Sequence, residues 1–295
     1  MIKKTLFFQS ACHLNTRHQQ LMITTKKTGE VSQRPIEDLG FVLFDHPQIT
    51  FTQSVIQLLN KNNTAVIFCD QRHHPSSMLL NLDAHQVQSE HFRAQIEAGV
   101  PLKKQLWQQT VKMKIWNQAS VLDFLGYDGE PLRYMARKVK SGDGSNEEAR
   151  AARYYWPFLF GQEFVRLRYG PPPNNYLNYG YTVLRAAVAR ALAGSGLHPT
   201  LGIHHRNKYN AFCLADDIME PYRPFVDMAV CEYCDGGMMS DELKSEHKTD
   251  LLEILTTDVK MKGKKRPLMI ALTETTASLV RCLKGEQKGL KYPEV

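Results

Sequence analysis

Residues 102–125, LKKQLWQQTVKMKIWNQASVLDFL, decide how the chain is read. Leu106, Trp107, Val111, Ile115, Trp116 and Leu122 are interleaved with Lys103, Lys104, Lys112 and Lys114. That spacing is helical: one buried apolar stripe, with the lysines on a solvated face. Upstream the period is different. Lys4–Gln9, Gln20–Thr25, Gly40–Phe44 and Ala65–Cys69 are rich in β-branched and aromatic residues and are separated by turn formers such as Thr28–Gly29 and Asn60–Asn63. One short helix is expected at Thr52–Lys61, where Val55, Leu58 and Leu59 share a face.

Helical spacing begins near Ser89. His91–Ala98 reads as a short helix closed by Gly99 and Pro101. Helices continue to about Lys284, broken by SGDGSN, PPPNN, AGSG and MKGKKRP. The fold class expected is α+β. A small β-sandwich-like domain (1–88) precedes a larger all-helical domain (89–284), with the boundary inside 84–93. The polar tail, 285–295, is expected to be mobile or ordered only by a partner.

The chain has 295 residues, enough for two domains and a sizeable core. Hydrophobic content of 43% with 23% charged residues excludes wholesale disorder. A net charge of +7 and a pI near 9.0 permit binding to a polyanion without requiring it. The six cysteines are scattered, unlike a secreted disulfide framework, and no apolar run has the length of a signal-peptide core or a membrane span. A cytoplasmic protein that does not span a membrane is expected.

Chemistry concentrates in Gly202–Pro224, GIHHRNKYNAFCLADDIMEPYRP. Imidazole with several carboxylates suits Mg²⁺ or Mn²⁺, and burying those carboxylates is costly without a cation or hydrogen bonds. His204 and His205 can be ligands or packing. Asp217 and Glu220, three apart, face one way on a helix, whereas Asp216 points elsewhere and reads as structural. Pro221 kinks the helix at Glu220 or ends it.

Ser145 and Glu148 have the spacing of a capping box, so Glu148 can be a helix-end residue or a metal ligand, and Glu147 is its neighbour. Cys231 and Cys234 form a single CxxC, half of what a structural zinc site requires, and read as helix packing. Basic residues cluster at Arg133–Lys140, Arg150–Arg153, Arg166–Arg168 and Lys260–Arg266, with Tyr134, Tyr154, Trp156 and Tyr169 nearby. Each cluster alone is a solvated face. Two of them flank Glu148, which points to a phosphodiester substrate.

Together these stretches resemble the CRISPR-associated protein one family, the endonuclease and integrase that acquires new spacers. The resemblance runs through RPIEDLGFVLFDHPQITFT, NNTAVIFCDQRHHPSSMLLNL, NEEARAARYYWPFLFG, LNYGYTVLRAAVARAL, GLHPTLGIHHRN and FCLADDIMEPYRPFVD. The wording of the last two is most similar to the subfamily that accompanies a single large RNA-guided effector nuclease. The resemblance implies an N-terminal β domain that dimerises and a helical domain with one divalent-metal site, holding Mg²⁺ or Mn²⁺. Its ligands fall on Glu148 (E-x-x-A-A), His205 and Glu220 (M-E-P), with Asp217 a further possible ligand.

Candidate DNA contacts are Arg137, Lys138, Lys140, Arg150, Arg153, Arg166, Arg168 and Arg206. The implied reaction inserts prespacer DNA, double-stranded with single-stranded ends, into CRISPR repeat DNA by 3′-hydroxyl attack. The implied partners are a second copy of the chain and a small ferredoxin-like adaptation subunit. A non-catalytic DNA-binding protein and a general metal-dependent nuclease are the other classes open to these residues.

Overall fold

The computed structural model describes residues 4–71, 73, 75–81, 83–235, 237 and 239–295, and forms two compact units, Met1–Ala84 and His85–Val295. In the first unit, β1 (Lys4–Phe8), β5 (Leu39–Phe44), β7 (Ala65–Cys69) and β8 (Pro75–Leu79) make one sheet in the order β1-β5-β7-β8. A second sheet holds β2 (Cys12–Arg17), β3 (Gln20–Thr25), β4 (Val31–Pro35) and β6 (Thr50–Phe51) in the order β4-β3-β2-β6. The interior strand β5, LGFVLF, is buried along its whole length and pairs in parallel with β1 and β7. Such a continuous apolar run is what an interior parallel strand requires.

Helix α1 (Gln53–Lys61) lays Val55 and Leu59 on a core made with Leu14, Leu21, Leu39, Val42 and Val66. Just after it, the Asn62 amide donates to the carbonyls of Ile36 (2.6 Å) and Leu39 (2.9 Å). Strands β2, β4 and β8 escaped the sequence reading because CHLNTR, VSQRP and PSSML are too polar for a β pattern. Parallel pairs also make this unit a mixed β structure rather than a simple antiparallel sandwich. Of the His73–His74 pair, His73 is exposed and bonds buried Asp45 at 2.8 Å, while His74 lies outside the described residues.

The second unit contains α2 (Gln88–Glu97), α3 (Val100–Phe124), α4 (Glu130–Lys138), α5 (Glu147–Phe160), α6 (Asn174–Gly194), α7 (Cys213–Met219), α8 (Arg223–Asp235), α9 (Ser245–Glu253) and α10 (Leu268–Leu283). Helix α6 is buried nearly all round, as its even spread of Ala, Val, Leu and Tyr dictates, and forms the centre of the unit. Helix α3 starts earlier than expected. Gly99 is its N-cap and Pro101 sits in its first turn, where a missing N–H costs nothing.

Two expectations are corrected. The unit is not all-helical: the basic breaker MKGKKRP folds into a hairpin of β9 (Asp258–Met261) and β10 (Lys264–Pro267), with Val259 and Met261 buried beneath it. Nor does the tail await a partner, because its own chain holds it. Leu290 N–H donates to the Gln109 amide oxygen (2.7 Å), Tyr292 Oη meets Thr110 Oγ1 (2.9 Å), and Thr275 Oγ1 donates to the Lys291 carbonyl (2.6 Å). Glu294 pairs with Lys260 of β9. Polar composition concealed this because the tail docks through backbone groups, the Gln287 amide and one aromatic ring, which carry no periodic signal. Cys231 packs its thiol on the Leu159 carbonyl.

Candidate metal centre

The His204–His205 segment is a loop between α6 and α7, and one carboxylate shapes it. Asp217, fully buried on α7, accepts the backbone N–H of Ile203 (2.7 Å), His204 (2.9 Å) and His205 (3.1 Å). Its Oδ1 also lies 2.6 Å from His205 Nδ1. The loop approaches so closely because residue 202 is glycine: a Cβ there would sit 2.4 Å from the His205 carbonyl and 2.9 Å from Asp217 Oδ2. Asp216 points the other way, held by Arg185 (2.6 Å) and Asn210 (2.7 Å), which fixes the far end of the loop.

The two histidines are thereby given different states. The hydrogen bond to Asp217 raises the His205 pKa above its ordinary value, against the opposing effect of burial. Its Nε2 is left without a hydrogen bond among the described residues. His204 lies flat on Trp107, with ring centroids 4.1 Å apart and planes 2° from parallel, and burial lowers its pKa.

Glu148 and Glu220 come to α3 from two different elements. Glu148 sits in the first turn of α5, but the cap is not the expected Ser145. Asn146 adopts a left-handed φ of 55°, and Asp143 reaches past it to accept the N–H groups of Glu147 (2.9 Å) and Glu148 (3.1 Å). Glu147 is buried and bonded to Arg150 at 2.9 Å, so its carboxylate is already taken. Glu220 lies in the single 3₁₀ turn Glu220–Tyr222 that Pro221 imposes between α7 and α8.

Lys114, in the middle of α3, joins them: its ammonium is 2.5 Å from Glu148 Oε1 and 2.6 Å from Glu220 Oε2. The solvated-face reading of α3 fails for this lysine, whose side chain is only 13% exposed. Burial opposes charge on Glu220, yet Arg223 (2.8 Å) and Lys114 prevail and hold its pKa well below the usual carboxylate range. The turn itself is braced from behind. Buried Asn117, one helical turn after Lys114, donates to the Pro221 carbonyl (2.7 Å) and to the tail carbonyl of Pro293 (3.0 Å).

These residues fit a hard divalent ion. One cation already touches both carboxylates, and Glu220 Oε2 is buried with an ion-pair contact but no hydrogen-bond donor aligned on it. The Asp217–His205 pair has the form of a carboxylate that orients a ligating imidazole. As they stand, no three His, Cys, Asp or Glu groups among the described residues are close enough to hold an ion. The two carboxylates are gathered; the imidazole stands apart. Asp217, with both oxygens already accepting hydrogen bonds, is arranged as the support of His205.

Of the basic candidates, Lys138, Lys140, Arg153, Arg168 and Arg206 are exposed, as are Arg137 and Arg150 despite their ion pairs. Arg166 instead folds inward onto Asn174 (3.0 Å) and Asn178 (2.7 Å). Arg223, Asp143 and Asn117 carry no role in the sequence reading, and Lys114 only that of a solvated residue, although the i,i+3 spacing of Glu220 and Arg223 is a legible signal for one of them.

Residues 6–262 match the family model described as CRISPR associated protein Cas1. The chain is 34% identical to the CRISPR-associated endonuclease Cas1 of Neisseria meningitidis serogroup C (strain 8013), covering 100% of this chain and 97% of that one. It is 27% identical to a CRISPR-associated endonuclease Cas1 of Pyrobaculum aerophilum, over 76% and 82% of the two chains. Two solved structures share the fold. One is a casposase bound to integration product, at TM-score 0.79 and 20% identity, covering 98% of this chain and 92% of that one. The other is a CAS1 protein from Thermotoga maritima, at TM-score 0.74 and 16% identity, covering 96% and 98%. The chain belongs to the Cas1 family of CRISPR-associated endonucleases.

Proposed function

We propose that this chain is a metal-dependent DNA endonuclease and integrase of CRISPR adaptation, joining prespacer DNA to the repeat array. The observation that carries the reading is the seating of Glu148 and Glu220 on a single buried cation, beside an imidazole oriented by Asp217. Glu148, Glu220 and Nε2 of His205 are the ligands; Asp217 orients the ring and is not a ligand. A bound Mg²⁺ or Mn²⁺ supplies Lewis-acid stabilisation of charge developing on the phosphoryl oxygens. Arg223 keeps Glu220 ionised in its buried turn, and the Asp143 cap fixes the direction of Glu148. The exposed cations Lys138, Lys140, Arg153, Arg168 and Arg206 hold backbone phosphates and set position rather than sequence preference.

Strand transfer forms one P–O bond to the incoming 3′-oxygen and breaks one P–O bond in the target. The attacking hydroxyl loses a proton and the departing 3′-oxygen gains one. The number of phosphodiester bonds is unchanged, so no energy source is required. In this reading the chain acts as a homodimer through its N-terminal unit, with a small ferredoxin-like subunit, in the cytoplasm. A solved Cas1–DNA complex (TM-score 0.62) and a Cas6-RT-Cas1–Cas2 complex (TM-score 0.73) among the structural neighbours support a DNA substrate and a Cas partner.

The test is integration of an end-labelled prespacer into repeat-bearing DNA, with and without the partner subunit and EDTA. Branched products that require metal and vanish in Glu148→Ala, His205→Ala and Glu220→Ala are expected. Metal-independent binding without any product would show a DNA-binding protein, and degradation without branched products a general nuclease.

A further inference from the structure

The hairpin Lys260–Arg266 is the basic cluster that the reaction leaves without a role. Its sequence, KMKGKKR, places five cations in seven residues. Lys260, Lys262, Lys264 and Lys265 are exposed, and no ion pair ties them to an acid among the described residues. Arg266 differs: it is bonded to Glu274 at 2.8 Å.

The arrangement costs stability. Lys265 lies directly opposite Lys260 in the antiparallel register, where like charges disfavour pairing by roughly 0.2–1 kcal/mol. Lys262 takes a left-handed φ of 51°, a conformation that suits Gly or Asn better. The Lys291 ammonium of the tail faces Lys262, whose proximity lowers its pKa. Lys260 with Lys265, and Lys262 with Lys291, set like charges side by side with no ion pair among the described residues to offset them, so packing of the monomer does not account for these charges.

The platform beneath them is stiff. Val259 and Met261 are buried, the Thr257 carbonyl accepts the Leu268 N–H (2.9 Å), and Glu294 of the tail adds a second backbone partner to Lys260 beside Lys265. The same tail runs on to Asn117, which braces the Pro221 carbonyl beside Glu220. A polyanion held on the hairpin is therefore connected to the metal-ligand turn through a short hydrogen-bonded path.

We propose that Lys260, Lys262, Lys264 and Lys265, with Lys291 beside them, form a second docking surface in this unit, for the phosphate backbone of duplex DNA. The inference rests on the integrase reading for its substrate and adds a site outside that reading's basic clusters. The hairpin presents ammonium groups only, with its one guanidinium occupied. It therefore holds phosphates without reading bases, positioning the duplex while the metal centre acts.

The experiment is equilibrium binding of duplex DNA of two unrelated sequences to the full chain, in EDTA, across a salt series. Lys260→Gln/Lys265→Gln and Lys262→Gln/Lys264→Gln are compared with wild type. Affinity should fall similarly for both sequences, and the slope of log K against log salt should become shallower by about 0.9 for each phosphate no longer neutralised. Unchanged affinity and slope in variants with wild-type melting curves would overturn the proposal. So would weakened binding to an acidic polypeptide or to anionic vesicles with DNA binding intact. Binding is read in EDTA, where no strand transfer is expected, so a separate failure of the wild type to transfer strands in Mn²⁺ would defeat the integrase reading without deciding this one.

Discussion

Lys114 stands between two carboxylates with its side chain largely buried, and its removal tests what it holds. Removing one partner of a buried ion pair typically costs about 3–5 kcal/mol, because the remaining charges are left uncompensated. Lys114→Met should therefore lower the melting temperature in EDTA and recover much of the loss in Mn²⁺, since a divalent ion satisfies the same oxygens. Equal destabilisation with and without Mn²⁺, followed by thermal melts, would show that the pair does not accept an ion. His205 gives a pH signature. Asp217 raises its pKa, so the protonated ring favours the folded state; that contribution is complete below the ordinary histidine value and fades as pH rises through the raised one. Ligation needs the neutral ring, so metal-dependent activity should rise with pH above the usual histidine range. In Asp217→Asn the acid limb of the pH–rate profile should move to lower pH. Asp227 gives a stability slope of the same sign for a different reason. Burial pushes its pKa up to about 7, offset in part by Tyr181 and Arg223. The folded state therefore binds this proton more tightly, and stability falls as pH rises from about 4 to 7. Asp227→Asn should flatten that slope in denaturant melts between pH 5 and 8.

Among the elements, the start of α5 shows where sequence rules stop. Ser145–Glu148 has the spacing of a capping box, and nothing in the local pattern predicts that Asn146 turns left-handed and gives the cap to Asp143. Asp143→Ala should cost about 1 kcal/mol and reduce strand transfer by loosening Glu148, while Ser145→Ala should lie within about 0.5 kcal/mol of wild type. The reverse order in urea titrations would restore the capping box. Strands with β-branched patterns, such as Gln20–Thr25 and Ala65–Cys69, were legible at their observed bounds; in the apolar stripe of α3, Leu106, Trp107, Val111, Ile115 and Leu122 are buried as expected, whereas Trp116 is exposed. The short polar strands were not, because their place is set by pairing with neighbours rather than by their own residues. Asn117 is a case of the same kind. An isolated Asn in a helix carries no signal, yet it ties the tail to the turn that presents Glu220. Asn117→Ala should leave DNA affinity unchanged and lower the rate of strand transfer at saturating DNA, with a rightward shift in Mn²⁺ dependence. A loss of affinity at unchanged rate would place Asn117 outside the support of Glu220.

For the whole molecule, the α+β order, the change of period near residue 89 and the family motifs were all readable in one dimension. The meeting of Glu148 and Glu220 on Lys114 was not, since it depends on packing around α3. Family motifs supplied both carboxylates and missed the lysine, which periodicity assigned to solvent. The proposed dimer belongs to this scale. Light scattering should give twice the chain mass of 33.8 kDa, and the isolated mass would contradict it.

The central claim is one divalent site built from Glu148, His205 and Glu220. Calorimetric titration of metal-free protein with Mn²⁺ at a pH above the His205 transition tests it most directly. One ion per chain is expected for the wild type, with binding weakened at least tenfold in each of Glu148→Gln, His205→Ala and Glu220→Gln and retained in Glu147→Gln. Wild-type affinity in any two of the first three variants would contradict the claim.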